Sequence, residues 1–189
     1  EISSVIMSGP GFQSTPGVVA LVTGSTGLCG ARLVEMLLER GASTVICFDI
    51  AVPDETWKQR IRRAEANTKG KTIVCSGPDH GNITKLESVE KAFAKAPKID
   101  IVYHIAALVG PFHDRDMYFD VNLQGTRHII QACRKFHVPK LVNSSSPSTR
   151  FTGDDVQGLR EDQMQIPKTF LALYAETKAY AEKEVTAAC

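Results

Sequence analysis

The chain has 189 residues, 43% of them hydrophobic, which is enough to bury a full core and sets an expectation of one domain, or one and part of another. Lys and Arg total 22 against 21 Asp and Glu, a formal net charge of +1, so no global field favours nucleic acid or an anionic membrane, and any anion site must be local. Five scattered cysteines without a Cys-x-x-Cys pair or clustered histidines suggest neither a metal site nor a disulfide framework and fit a reducing compartment; no apolar run is long enough to span a bilayer, and the first residues lack the pattern of a secretory signal.

Residues 1–17 are rich in Ser, Gly and Pro and read as an irregular tail, with the domain proper over 18–189. Val18 to Thr23 is then a buried strand. Thr23-Gly24-Ser25-Thr26-Gly27-Leu28-Cys29-Gly30 follows, leading into a helix from Arg32 to Arg40 with Leu33, Val34, Leu37 and Leu38 on one stripe and Gly41 as its stop. A strand that ends in a glycine turn and opens a helix lets backbone N–H groups and a helix N-terminus hold a pyrophosphate. Gly24 allows the tight turn, Gly27 removes a Cβ from the path of the phosphate, and Gly30 lets the helix sit close to the strand. The same run also suits a plain strand-to-helix corner.

Ser43 to Phe48 is a second strand ending at Asp49, nineteen residues past Gly30, where a carboxylate can accept from both hydroxyls of an adenosine ribose. With Ile50, Ala51 and Val52 following and no adjacent Arg, NAD is favoured over NADP; a solvated aspartate at a strand end is the plainer reading. A helix-compatible stretch, Glu55 to Lys69, leads to a third strand, Lys71 to Ser76. Beyond it Gly81-Asn82-Ile83-Thr84 could lie against an adenine through Asn82 and Ile83, or simply form the loop that starts the helix Leu86 to Ala96. The fourth strand, Ile99 to Ile105, ends in Ala106 and Ala107, small residues suited to a flat ligand or to a packed helix. Met117 to Phe136 is helical, with Val121, Ile129, Cys133 and Phe136 sharing a face, and Lys140 to Ser144 is the fifth strand. Alternating apolar strands and helices predict an α/β fold, a doubly wound parallel sheet of the Rossmann type with helices on both faces.

Tyr174 and Lys178 stand four residues apart, one turn apart on one helix face. A phenol titrates at about pH 10 and is a poor base at neutral pH, but an adjacent ammonium and a cationic nicotinamide favour the phenolate. Upstream, Asn143-Ser144-Ser145-Ser146-Pro147 ends the fifth strand where the substrate of such a sheet lies, and Pro147 stops the strand there.

In its Thr-Gly-x-x-Gly-x-x-Gly turn, Asp49, the Asn122-Leu123-Gln124-Gly125-Thr126 segment, the serine-rich strand end and Tyr174 to Lys178, the chain resembles the extended short-chain dehydrogenases/reductases over about Val18 to Val185. Ser145-Ser146-Pro147-Ser148, Phe151, Gly153, Asp155, Gly158 and Glu161-Asp162 look like the 3β-hydroxysteroid dehydrogenase and sterol-4α-carboxylate 3-dehydrogenase group; Arg150-Phe151 stands where nucleotide-sugar epimerases usually carry Tyr-Gly. The resemblance implies NAD-dependent oxidation of a secondary alcohol, the 3β-hydroxyl of a steroid or sterol, with decarboxylation where a 4α-carboxylate is present. Epimerase chemistry or a non-catalytic nucleotide-binding subunit is the alternative. It implies Ser146, Tyr174 and Lys178 as catalytic residues, with Asn122 supporting the helix or a proton relay, and Lys178 also on the nicotinamide ribose. Gly24, Thr26, Gly27, Leu28, Gly30, Asp49, Asn82, Ile83, Ala106 and Ala107 are the remaining cofactor residues. Three serines in succession leave Ser145 and Ser146 both open as the catalytic serine. The family's C-terminal substrate lobe is expected to be largely missing, a homodimer through the long helices is expected, and the location is expected to be cytoplasmic, or the cytosolic face of the endoplasmic reticulum if a further C-terminal segment anchors the protein.

Overall fold

Central to the molecule is β1 (Val19–Thr23), whose residues alternate between two cores: Leu21 faces one, Ala20 and Val22 the other. A computed structural model describes residues 16–188 of the chain; the expected tail over 1–17 therefore lies outside the described residues except for Pro16 and Gly17, where Gly17 N–H donates to the Gly41 carbonyl. Five parallel strands, β1 with β2 (Thr44–Asp49), β3 (Lys71–Ser76), β4 (Ile101–His104) and β5 (Leu141–Asn143), line up in the order β3-β2-β1-β4-β5. The chain winds outward from β1 through β2 to β3, then returns to the other side of β1 to lay down β4 and β5. The reversal falls between β1 and β4, which is where a doubly wound sheet opens a crevice at its carboxyl edge.

On one face, α1 (Leu28–Glu39) and α2 (Glu55–Ala66) bury Val34, Leu37, Leu38, Trp57 and Ile61 against Ala20, Val22, Val45 and Cys47. On the other, α3 (Leu86–Phe93) and α5 (Gly125–Lys135) bury Val89, Phe93, Ile129 and Cys133 against Leu21, Ile46, Phe48 and Cys75. Cys47 and Cys75 are core residues as their strands predicted, and burial pushes both thiols up, Cys47 by the greater margin.

Two boundaries depart from the sequence reading. Helix α1 begins at Leu28, a turn before Arg32, because Gly27 itself is the N-cap and the glycine motif supplies the helix's first residues. The long helix is not uniform: α4 (Arg115–Tyr118) passes through a π-helical turn, Phe119–Gln124, before α5. Such turns shift the face that side chains present, and often do so at functional positions. The last helix, α6 (Leu173–Ala188), packs beside this segment and carries Tyr174 and Lys178. Arg127 of α5 pairs with Glu184 of α6, Nε–Oε1 2.9 Å, and Lys135 of α5 with Glu90 of α3, 2.7 Å.

Candidate active site

The glycine turn is held by atoms of the protein that leave little choice of residue. Gly24 sits at φ +69°, and a Cβ there would lie 2.9 Å from Ala106 N; one on Gly30 would come within 2.0 Å of the Gly24 carbonyl oxygen. Gly27 is different. A Cβ on it meets nothing nearer than the Gly24 carbonyl oxygen at 3.4 Å, an ordinary contact, so the protein's own packing does not demand glycine at that position. No side chain caps Gly27 and no acid stands in the first turn of α1, which leaves that end of the helix positive and open to an anion.

Two side chains brace the turn. Asp49, at the end of β2, accepts through Oδ2 from Thr26 N–H at 2.8 Å and from Thr26 Oγ1 at 2.7 Å, while Oδ1 accepts from Ala51 N–H at 2.9 Å. From below, the buried Trp57 donates its indole Nε1–H to the Ser25 carbonyl at 2.9 Å.

A cleft of ≈ 530 Å³ opens at the reversal between β1 and β4, within the size range of small-molecule sites. Of the residues predicted on the cofactor side, Gly24, Thr26, Gly27, Leu28, Gly30, Asp49, Asn82, Ile83, Ala106 and Ala107 all line it; Lys178 does not. Leu28 is 88% exposed over the opening. Asn82 Oδ1 is already engaged by Thr84 N–H at 3.0 Å and Thr84 Oγ1 at 2.8 Å, so its amide N–H₂ is what it has to offer a ligand. The cleft also takes in Gly81, from the run read as adenine-facing, and Ile50, Leu108 and Val121, which the sequence reading did not pick as ligand-facing. Glycine at position 81 is required by the fold, since a Cβ there would sit 1.8 Å from the Asp49 carbonyl oxygen.

Behind the cleft lies a buried polar relay. Thr126 Oγ1 donates to the Asn122 carbonyl at 2.6 Å, which leaves it to accept from His104 Nε2–H at 2.9 Å; Thr23 Oγ1 in turn donates to His104 Nδ1 at 2.8 Å and accepts from the N–H groups of Ile105 and Ala106, both at 3.1 Å. Every partner in the chain is satisfied with a neutral imidazole. Burial, with a smaller contribution from the Lys178 charge, lowers the His104 pKa to about 3.

Asn122 stands in the π-helical turn and is buried. Its Oδ1 accepts from Leu108 N–H at 2.7 Å, and its Nδ2 donates to the Leu108 carbonyl and to Thr177 Oγ1, both at 3.1 Å. One amide thus ties the loop after β4 to α6 next to Lys178. Lys178, only 3% exposed, donates from Nζ to the Ser144 carbonyl at 2.5 Å, and burial holds its pKa below the usual lysine value against the opposing pull of Glu182. Tyr174 stands one turn before it, half-buried. Ser146 caps the turn Pro147–Arg150 and shares a 2.8 Å hydrogen bond with Ser148 Oγ. The structure therefore joins Lys178 directly to the serine segment, while the Ser146 and Tyr174 hydroxyls are not hydrogen-bonded to each other. Catalytic contacts commonly close up only around a substrate.

The model of the 3-beta hydroxysteroid dehydrogenase/isomerase family matches residues 21–189. A 2-alkyl-3-oxoalkanoate reductase of Shewanella oneidensis is 34% identical over 164 residues, 87% of this chain and 37% of that protein. A decarboxylating sterol-4-alpha-carboxylate 3-dehydrogenase of Schizosaccharomyces pombe is 34% identical over 168 residues, 87% of this chain and 44% of that protein. The chain spans less than half the length of these relatives. Among solved structures, the UDP-glucose 4-epimerase of Thermus thermophilus in complex with NAD superposes with a TM-score of 0.69 at 27% identity, over 90% of this chain and 50% of that one.

Proposed function

The chain belongs to the 3-beta hydroxysteroid dehydrogenase/isomerase family, and from that premise we propose that it forms the cofactor half of an NAD-dependent dehydrogenase of secondary alcohols. The substrate group is the 3β-hydroxyl of a steroid or sterol, with loss of a 4α-carboxylate where the substrate bears one. The observation that carries this reading is the bond from Lys178 to the Ser144 carbonyl, which seats the Tyr-x-x-x-Lys helix against the serine-rich strand end beside the glycine cleft.

The cleft fits a dinucleotide on its own terms. An open space in front of Gly27, where the protein alone requires no glycine, and the uncapped N-terminus of α1 receive the pyrophosphate. Asp49 receives the adenosine ribose, and its charge, with Ile50 and Ala51 beside it, repels a 2′-phosphate, hence NAD over NADP. Asn82 and Ile83 flank the adenine, and Ala106 and Ala107 pass the nicotinamide half. NAD, when bound, supplies the acceptor for the hydride leaving the carbinol carbon. Ser146 orients the substrate hydroxyl, Tyr174 takes its proton, and Lys178, one turn further along α6, holds the nicotinamide ribose. Asn122 keeps the helix in place.

The test is the intact protein incubated with NAD and a panel of 3β-hydroxysteroids and UDP-sugars. The expected result is NADH formed with a hydroxysteroid and lost in Tyr174→Phe; no NADH, and no effect of Tyr174→Phe, would sink the reading. The likeness to the UDP-glucose 4-epimerase supports a second one, and UDP-sugar interconversion without net NADH would favour it. Pairing of two copies through α4, α5 and α6 is part of the proposal, and a sizing column showing monomer alone would remove it.

A further inference from the structure

Three serines in a row leave open which one meets the substrate, and the structure ties each to a different anchor. The Ser144 carbonyl is held by Lys178. The Ser145 hydroxyl donates to Glu182 Oε2 at 2.6 Å, short as expected for a bond to a carboxylate. The Ser146 carbonyl accepts from Thr149 N–H at 3.1 Å and from Thr149 Oγ1 at 2.8 Å, and Thr149 Oγ1 is itself gripped by Arg150 Nη1 at 2.7 Å. Arg150 then closes on Glu182, Nη2 to Oε1 at 2.5 Å and Nη1 to Oε2 at 3.1 Å. Lys178 and Glu182 lie one turn apart on α6, so a single helix face holds Ser144 directly, Ser145 directly and Ser146 through Arg150 and Thr149.

We propose that Glu182 is a positioning residue that, with Arg150, clamps the end of β5 so that Ser145 is turned away and Ser146 alone presents its hydroxyl to the substrate; the proposal rests on the dehydrogenase reading above. The pair is well placed for this role. Its side chains are only 13% and 19% exposed, so the two-bond geometry is little screened by solvent. Hydrogen bonds from Arg150 hold the Glu182 carboxyl below the usual carboxylate range, which keeps it ionised and able to accept from Ser145. The Ser146 hydroxyl, by contrast, engages only its neighbour Ser148, an exchange that a substrate hydroxyl can replace.

Two variants in the intact protein test it: Glu182→Gln, which sets an amide N–H₂ against the guanidinium, and Arg150→Met, which cuts the chain to Thr149 while leaving Glu182 to Ser145. The first measurement is amide hydrogen exchange. The Ser148 and Thr149 amides, which bond to Ser146 Oγ and Ser146 O, should exchange about tenfold faster in both variants, with β1 and α1 unchanged. The second is a kinetic cycle with Ser146→Ala. Ser146→Ala should cost about a hundredfold in kcat in the wild type and about tenfold or less in the Glu182→Gln background, because serine placement is already lost there, while KM for NAD stays within about twofold. Unchanged exchange at Ser148 and Thr149, or a cost of Ser146→Ala that is equal in both backgrounds, would overturn the clamp. Absence of any NAD-dependent turnover in the wild type would instead defeat the dehydrogenase reading, and the exchange measurement is independent of it.

Discussion

The relay through His104 makes the stability of this domain depend on pH in a calculable way. The folded state holds His104 neutral with a pKa of about 3, against 6.5 for the unperturbed side chain, because the ring is buried and, to a smaller extent, because the Lys178 charge opposes a second cation. Below pH 6.5 the unfolded chain therefore binds a proton that the folded chain refuses. The stability contributed is complete above about pH 6.5 and is lost as pH falls from there toward 3. At pH 5 the gap in proton binding amounts to about 2 kcal/mol relative to pH 7.5, a large fraction of a typical domain's margin. Urea unfolding at the two pH values measures the difference, and His104→Gln, which does not titrate, isolates the contribution of this ring from that of the carboxylates. The wild type should lose about 2 kcal/mol more than the variant between pH 7.5 and pH 5. Equal losses, or an imidazole in the folded protein that titrates near its unperturbed value by NMR, would refute the reasoning.

The second and third glycines of the turn should separate under substitution. Gly30→Ala drives a methyl into the Gly24 carbonyl and should cost about 2 kcal/mol or more of stability, whereas Gly27→Ala should unfold near the wild-type temperature yet bind NAD at least about tenfold more weakly by calorimetry. Intact NAD binding in Gly27→Ala would mean that the cleft is not shaped for a phosphate. Asn122→Ala leaves the Leu108 N–H and carbonyl without their partner, while the Thr177 hydroxyl keeps its bonds to the Leu173 and Tyr174 carbonyls; an expected loss of about 2–3 kcal/mol in urea unfolding would become negligible if water takes over the Leu108 bonds.

Local chemistry was readable in the sequence wherever one run of residues contained it. The β-branched run Lys71 to Ser76 coincides with β3, and the other strands differ from their predicted runs only at the ends; continuous apolar runs mark the buried β1 and β2, while the edge strands β3 and β5, only partly covered, were read from short β-branched and apolar stretches. The cofactor residues were readable for a similar reason, as the glycine turn and Asp49 are short motifs at a set distance. Elements that depend on distant partners left no such trace. The π-helical turn is invisible to a 3.6-residue pattern, yet it places Asn122 opposite Leu108 and Thr177. Thr23, His104 and Thr126 come together across 103 residues of sequence with no periodicity to announce them. The order of the three serines could be argued only once Lys178 and Glu182 were seen to hold them.

The indole under the glycine turn has one further consequence. Trp57 is the chain's one tryptophan, and its Nε1–H is bonded to the backbone of Ser25, between Gly24 and Thr26. Its emission therefore reports on the contact between α2 and this loop, with no second indole in this chain to obscure it, so that a nucleotide settling on the turn can be followed without a label or a coupled reaction.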